Sequence, residues 1–221
     1  MPPSRRSLHP SRLVGIGLVV VLLIAMVLNT KFLTKAELAA ARPKKFDAAA
    51  TAQQLFDKAS AQLPGKAREV ADVVPALQRD VKAAAGTYKA VSPNEGAFVF
   101  PVKTTATVSQ ATPDLLQLKV PGLDGSTPIL VPLGVALNGS VIRDAMGFKF
   151  ADAPGQSDYQ FVGDELKKLM LAEVRPVAGN PKSLKGKKVT VVGAISQLDT
   201  GAPAPAAKPV NIQPISLEVA K

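Results

Sequence analysis

Cysteine and tryptophan are absent from these 221 residues, and there is one histidine. The missing thiol excludes disulfides, thiolate metal ligation and cysteine nucleophiles together. It also removes lipid attachment through an N-terminal cysteine. The histidine, His9, precedes the long apolar run, so everything beyond it lacks both His and Cys. A typical zinc or copper site and a Ser-His-Asp triad cannot be assembled from that part. No phosphate loop, dinucleotide fingerprint or metal-spaced acidic cluster is present either. No cofactor or metal is expected, and no enzyme constellation is visible. Aromatics are scarce, with eight Phe and two Tyr. They are expected in the core first, leaving few for stacking on bases or sugar rings.

What is present reads as a folded protein: 47% hydrophobic and 20% charged residues exclude wholesale disorder. The net charge of +10 is uneven. Residues 1–45 hold eight Lys or Arg against Glu37 alone, whereas the rest holds nineteen basic against sixteen acidic side chains. The excess is therefore +7 before residue 46 and +3 after it, so basicity is no argument for nucleic-acid binding by the folded part.

The apolar run "LVGIGLVVVLLIAMVL" (13–28) predicts a membrane anchor over 13–30, behind a cytoplasmic basic tail over 1–12. Arg5, Arg6 and Arg12 keep that flank inside, sending the C-terminal bulk out of the cytoplasm. A cleaved signal peptide is the competing reading. Its best site, Ala39-Ala40-Ala41, lies thirteen residues past Leu28. Residues 31–45 read as a stalk and 46–90 as a helical segment. Ala49, Ala52, Leu55, Phe56, Ala59 and Leu63 form one helical stripe there, and a second helix is expected from Asp72 to Gly86.

Residues 91–221 then change character. Alternation over 97–108 puts Phe98, Phe100, Val102, Thr104, Ala106 and Val108 on one face. Strands at 115–120 and 126–137 follow, then a helix over 158–173, then strands at 187–195 and 214–219. Three strands, a helix and two strands is the order of a five-stranded OB-type barrel. The expected class is mainly β with α, an OB-like barrel preceded by N-terminal helices and a single transmembrane helix. "DTGAPAPAAKP" (199–209) reads as a flexible loop, and Lys182, Lys185, Lys187 and Lys188 as a solvated basic turn.

The segments "KKFDAAATAQQLFDK" (44–58), "VVPALQRDVKAAAGTY" (73–88), "GSVIRDAMGFKFAD" (139–152) and "GKKVTVVGAI…NIQPISLEV" (186–219) together resemble the domain-of-unknown-function 2291 family. These are predicted bacterial exported lipoproteins. The resemblance implies an OB-like fold and association with sugar-import ABC transporters. Its most specific part is Ile142 to Phe148. Two departures stand out: there is no lipobox cysteine, and "ADAPGQSDYQF" keeps Gln156, Asp158 and Tyr159 but lacks the family's asparagine.

Arg143 and Asp144 are read within a strand, where neighbours point to opposite faces. Arg143 would then pair with Asp152, Asp158 or Glu165 in a structural network; ligand contact is the alternative. Gly147, Phe148 and Phe150 read as a bend and a strand with core-facing rings. Gln156, Asp158 and Tyr159 join Arg143 and Asp144 as candidate ligand or partner contacts. "NGS" (138–140) matches a glycosylation triplet and carries little weight. The expected function is a membrane-anchored, non-enzymatic extracytoplasmic accessory protein. Its expected partners are ABC transporter subunits or a solute-binding protein, and not nucleic acid. The alternative is a small-molecule or glycan binding module.

Overall fold

A computed structural model describes residues 10–30, 34, 46–201 and 208–220. The chain divides into two units, Met1–Lys45 and Phe46–Lys221. The expected tail (apart from 10–12), the stalk (apart from Thr34), the Ala39–Ala41 cleavage pattern and most of the Pro/Ala-rich loop lie outside the described residues.

In the first unit, α1 spans Pro10–Asn29. Its large apolar side chains are open, from 47% exposed at Val20 to 79% at Leu28. The sixteen-residue apolar run covers about 24 Å, against a hydrocarbon core of about 30 Å. Among the described residues no helix is long and apolar enough to cross a membrane. The single transmembrane helix expected over 13–30 is thus not found.

The second unit begins with three helices, α2 (Ala48–Lys66), α3 (Val70–Arg79) and α4 (Val81–Tyr88). Asp47 caps α2 by accepting a bond from the Ala50 N–H at 2.9 Å. Ala52, Leu55, Ala59 and Leu63 then repeat at helical spacing and are all buried. The helix expected over 72–86 is instead two. Asp80, extended at φ −161°, ends α3 and caps α4 through the Ala83 N–H at 2.8 Å. An aspartate offers the backbone a cap that competes with helix continuation.

The strands are β1 (Arg68–Glu69), β2 (Val91–Asn94), β3 (Ala97–Ala111), β4 (Leu115–Lys119), β5 (Ile129–Pro132), β6 (Lys188–Leu198), β7 (Val210–Asn211) and β8 (Gln213–Val219). They pair in the order β7-β5-β4-β3-β6-β8, with β1 and β2 also on β3. The expected five strands are therefore eight segments, six of them along the path. Yet β7 and β8 flank the single residue Ile212, so one stretch of chain holds both ends of that path. β7 runs parallel to β5 while β8 runs antiparallel to β6, and the sheet nearly closes into a barrel. Ile212 itself donates to the Leu130 carbonyl at 2.8 Å.

The long β3 makes this possible. Val102, Thr104, Ala106 and Val108 are buried at the expected period of two, but earlier in the strand Val99, Phe100 and Pro101 are buried together with Val102 and the expected Phe98 is only half-buried, so both faces are covered there. Eleven residues of β3 pair with β6, and its later part pairs with β4, so one strand serves both flanks of the barrel. At Gly193 the β6–β8 register shifts, and a Cβ there would collide with the Gln213 carbonyl oxygen. Only glycine admits so close a backbone approach at the bend.

Between β5 and β6 lie α5 (Gly139–Ala145) and α6 (Gln156–Ala178). Val162, Leu166, Met170 and Val174 are the buried stripe of α6. One continuous core runs from Ala52 to Leu217 and includes residues of α2, α3 and α4 as well as the barrel strands. The helices of 46–90 are thus built into the core of the barrel domain.

Candidate functional site

Residues 139–145 form a helix, which corrects the strand expected for Arg143 and Asp144. Asn138 starts it, its side chain accepting from the Ser140 N–H at 3.0 Å. Its backbone N–H donates to Gln213 Oε1 at 2.8 Å, tying the cap to β8. The glycosylation triplet is therefore a helix cap. Gly147, at φ 74°, ends the helix. Its N–H donates to the Asp144 carbonyl at 3.0 Å, and the Phe148 N–H to the Arg143 carbonyl at 3.3 Å. This pair of bonds is a Schellman stop, which needs a left-handed residue where glycine is strain-free. The α5 helix also touches α6 through two glycines. A Cβ on Gly139 would overlap the Gly163 carbonyl oxygen and lie 2.9 Å from the Leu166 Cβ.

The helical turn lets Arg143 curl onto its neighbour. Its Nε and Nη2 both lie 2.9 Å from Asp144 Oδ1, and Nη1 donates to the Tyr159 carbonyl at 2.9 Å. The Tyr159 hydroxyl donates to the same Asp144 oxygen at 3.1 Å. The guanidinium carbon lies 3.6 Å from the Tyr159 ring centroid, and Phe148 stacks near that ring at 6.1 Å and 11°. Arg143 is only 6% exposed, so pairing and stacking stand in for the water it has lost. Burial first, and the Asp144 carboxylate second, push the Tyr159 hydroxyl above the ordinary phenol range; the Arg143 charge opposes them.

Of the five candidate residues, the fold brings Arg143, Asp144 and Tyr159 together. Gln156 is exposed at the start of α6 and Asp158 half-buried in its first turn, and neither joins the network. The carboxylates expected to meet Arg143 are engaged elsewhere or apart. Asp152 accepts from the Lys149 N–H at 2.7 Å, and Glu165 pairs with Lys168 at 2.6 Å. Phe150, expected in the core, is 57% exposed and meets Tyr159 edge-on at 5.7 Å. It lies in a 3-10 turn, Phe150–Asp152, rather than a strand.

A groove of about 550 Å³ lies at another place, on the outer wall of β3 and β6. Its lining includes Glu69, Asp72, Lys103, Thr105 and Thr190, with none of the five sequence candidates. Lys103 is 4.0 Å from Glu69, and the Thr105 and Thr190 hydroxyls share a bond of 2.9 Å. The sequence signals for this wall are only the outward positions of an alternating strand. Among the described residues no three His, Cys, Asp or Glu side chains gather in a metal-binding group.

Comparison with known proteins now decides the family. The family described as "Predicted periplasmic lipoprotein (DUF2291)" matches residues 18–218. The chain belongs to the DUF2291 family. Its members are predicted to be exported and periplasmic, and their function is unknown. No curated protein matches this DUF2291 chain. Among solved structures it is similar to one described as an OB-fold protein from Thermotoga maritima. The two share 18% identity with a TM-score of 0.69, over 80% of this chain and all of the other. That likeness establishes the OB-type fold and nothing about ligands.

Proposed function

We propose that this DUF2291 member is an exported, non-enzymatic accessory protein retained at the membrane by its N-terminal apolar helix. The observation that carries the reading is α1: a continuous apolar surface in a chain with no thiol to take an acyl group. Family members are predicted lipoproteins, and lipid attachment at a cysteine is unavailable within these residues. An apolar segment shorter than the bilayer core inserts by local thinning and by snorkelling of flanking Lys or Arg. The basic residues ahead of the run, Arg5, Arg6 and Arg12, favour retention of that flank on the cytoplasmic side. On this reading the protein serves a solute-import system, contacting an ABC transporter subunit or its solute-binding protein; the family resemblance supports that partner. The Arg143–Asp144–Tyr159 network supports a structural role for the family's most distinctive segment.

The test is extraction of membranes carrying the full chain. Resistance to alkaline carbonate and release by detergent are expected, and replacing Val19 to Ile24 by serine should release the protein. A carbonate-soluble full chain sinks the anchor. A crosslinked complex containing no transporter component sinks the partner.

A further inference from the structure

Arg175, Lys182, Lys185, Lys187 and Lys188 fall within residues 174–198, a stretch with no Asp or Glu. The four lysines are all exposed, and none forms an ion pair among the described residues. Topology gathers them at one end of the barrel. The turn before β6 is fastened to β3, the Gly186 N–H donating to the Val108 carbonyl at 2.8 Å and the Lys187 carbonyl accepting from the Val108 N–H at 2.9 Å. Leu184 is buried beneath this turn, so Lys182 and Lys185 are held beside it.

A fifth lysine comes from β4. Thr107 is the register partner of Lys119 on one side and of Lys188 on the other. Direct partners across neighbouring strands share a face, so Lys119 and Lys188 lie in one row on the outer wall. None of the five makes an ion pair among the described residues, although Glu218, the register partner of Thr190, lies on the neighbouring strand; like charges gathered in this way repel one another. A solvated turn needs no such gathering.

From this we infer that the Lys119–Lys182–Lys185–Lys187–Lys188 end of the barrel is a docking surface for the anionic headgroups of a phospholipid membrane. The charge complementarity is direct, and each lysine near such a surface adds to the attraction. It deepens the membrane-held reading, because a body tethered by α1 meets a lipid surface at high effective concentration. Yet it is carried by different residues and can fail separately.

The test uses residues 46–221, which lack α1 and contain the whole continuous core. Sedimentation is measured with vesicles of phosphatidylcholine alone and with vesicles containing phosphatidylglycerol. Binding is expected only to the anionic vesicles, weakening as salt rises from 0.05 to 0.5 M (roughly, on the scale over which screening acts). K182A/K185A/K187A/K188A should lower the partition coefficient tenfold or more, by the order expected of four surface lysines. Its circular dichroism should match the parent and its thermal midpoint should stay level or rise slightly, because all four side chains are exposed and their mutual repulsion is removed. Equal binding to neutral vesicles, or undiminished binding by the quadruple variant, overturns the inference. So does oligonucleotide binding tighter than vesicle binding.

Discussion

At the scale of single residues, Arg143 shows how a buried charge is accommodated. One carboxylate oxygen collects two guanidinium nitrogens and a phenol hydroxyl, while an aromatic ring covers the guanidinium face. Lysine cannot reproduce that fork or lie flat on Tyr159. Arg143→Lys is therefore expected to cost about 1–3 kcal/mol, read as a lower urea midpoint at unchanged slope. A variant of parental stability that has lost a ligand or partner signal would show Arg143 to be a contact instead. Tyr159 gives a pH prediction. Its folded hydroxyl holds its proton more tightly than in the unfolded chain, so the native state binds more protons at alkaline pH. The associated stability is present below the ordinary phenol range of about 10 and is lost as pH climbs through it. Tyr159→Phe should flatten the fall in thermal midpoint above about pH 10. An equally steep fall in both proteins would refute the assignment.

At the scale of elements, the crossing of α5 and α6 rests on two glycines placed where the helices touch. A methyl on Gly139 meets backbone: the Gly163 carbonyl, and the Lys167 nitrogen at 2.5 Å. Gly163 would meet Ser140 Oγ at 2.7 Å, a side-chain atom that can turn aside. Gly139→Ala should cost about 3 kcal/mol or more, and Gly163→Ala about 1 kcal/mol. Chemical denaturation of both variants side by side checks the ranking, and a reversed order would mean that the crossing relaxes elsewhere. A glycine inside a helix is a signal open to sequence reading, since it weakens the helix and asks for a packing reason. The strand expected at Arg143 and Asp144 failed for a related cause. Seven residues are too few for periodicity to tell helix from strand, and the cap at Asn138 with the stop at Gly147 decided the matter. The α3–α4 break failed to register because the apolar stripe of Val74, Leu77, Val81 and Ala84 keeps helical spacing across it, and only the cap bond of the exposed Asp80 reveals it.

At the scale of the whole molecule, the helices of 46–90 and the barrel bury their apolar faces in each other. Leu55, Leu63, Val73 and Leu77 belong to the same core as Phe100, Leu166 and Ile215. Residues 46–221 should unfold in one cooperative transition, with fluorescence-probe and circular-dichroism curves superimposing. Residues 91–221 alone should fail to give a cooperative transition, because the barrel would expose the surface that α2 and α3 cover. Two separated transitions in 46–221 would restore a boundary near residue 90.

The sequence by itself determined several things: an apolar N-terminal helix, export, the absence of thiol chemistry, and the alternating faces of β4 and of the later part of β3. Those depend on local spacing and composition, which a chain carries whatever its fold. Only the tertiary structure decided that β7 and β8 would share one barrel seam, and that Arg143 would meet Asp144 rather than a distant acid. The same holds for the gathering of Lys119 with the turn of 182–188. Each of the three depends on strand register or on helix direction, which the tertiary fold sets and local spacing does not carry.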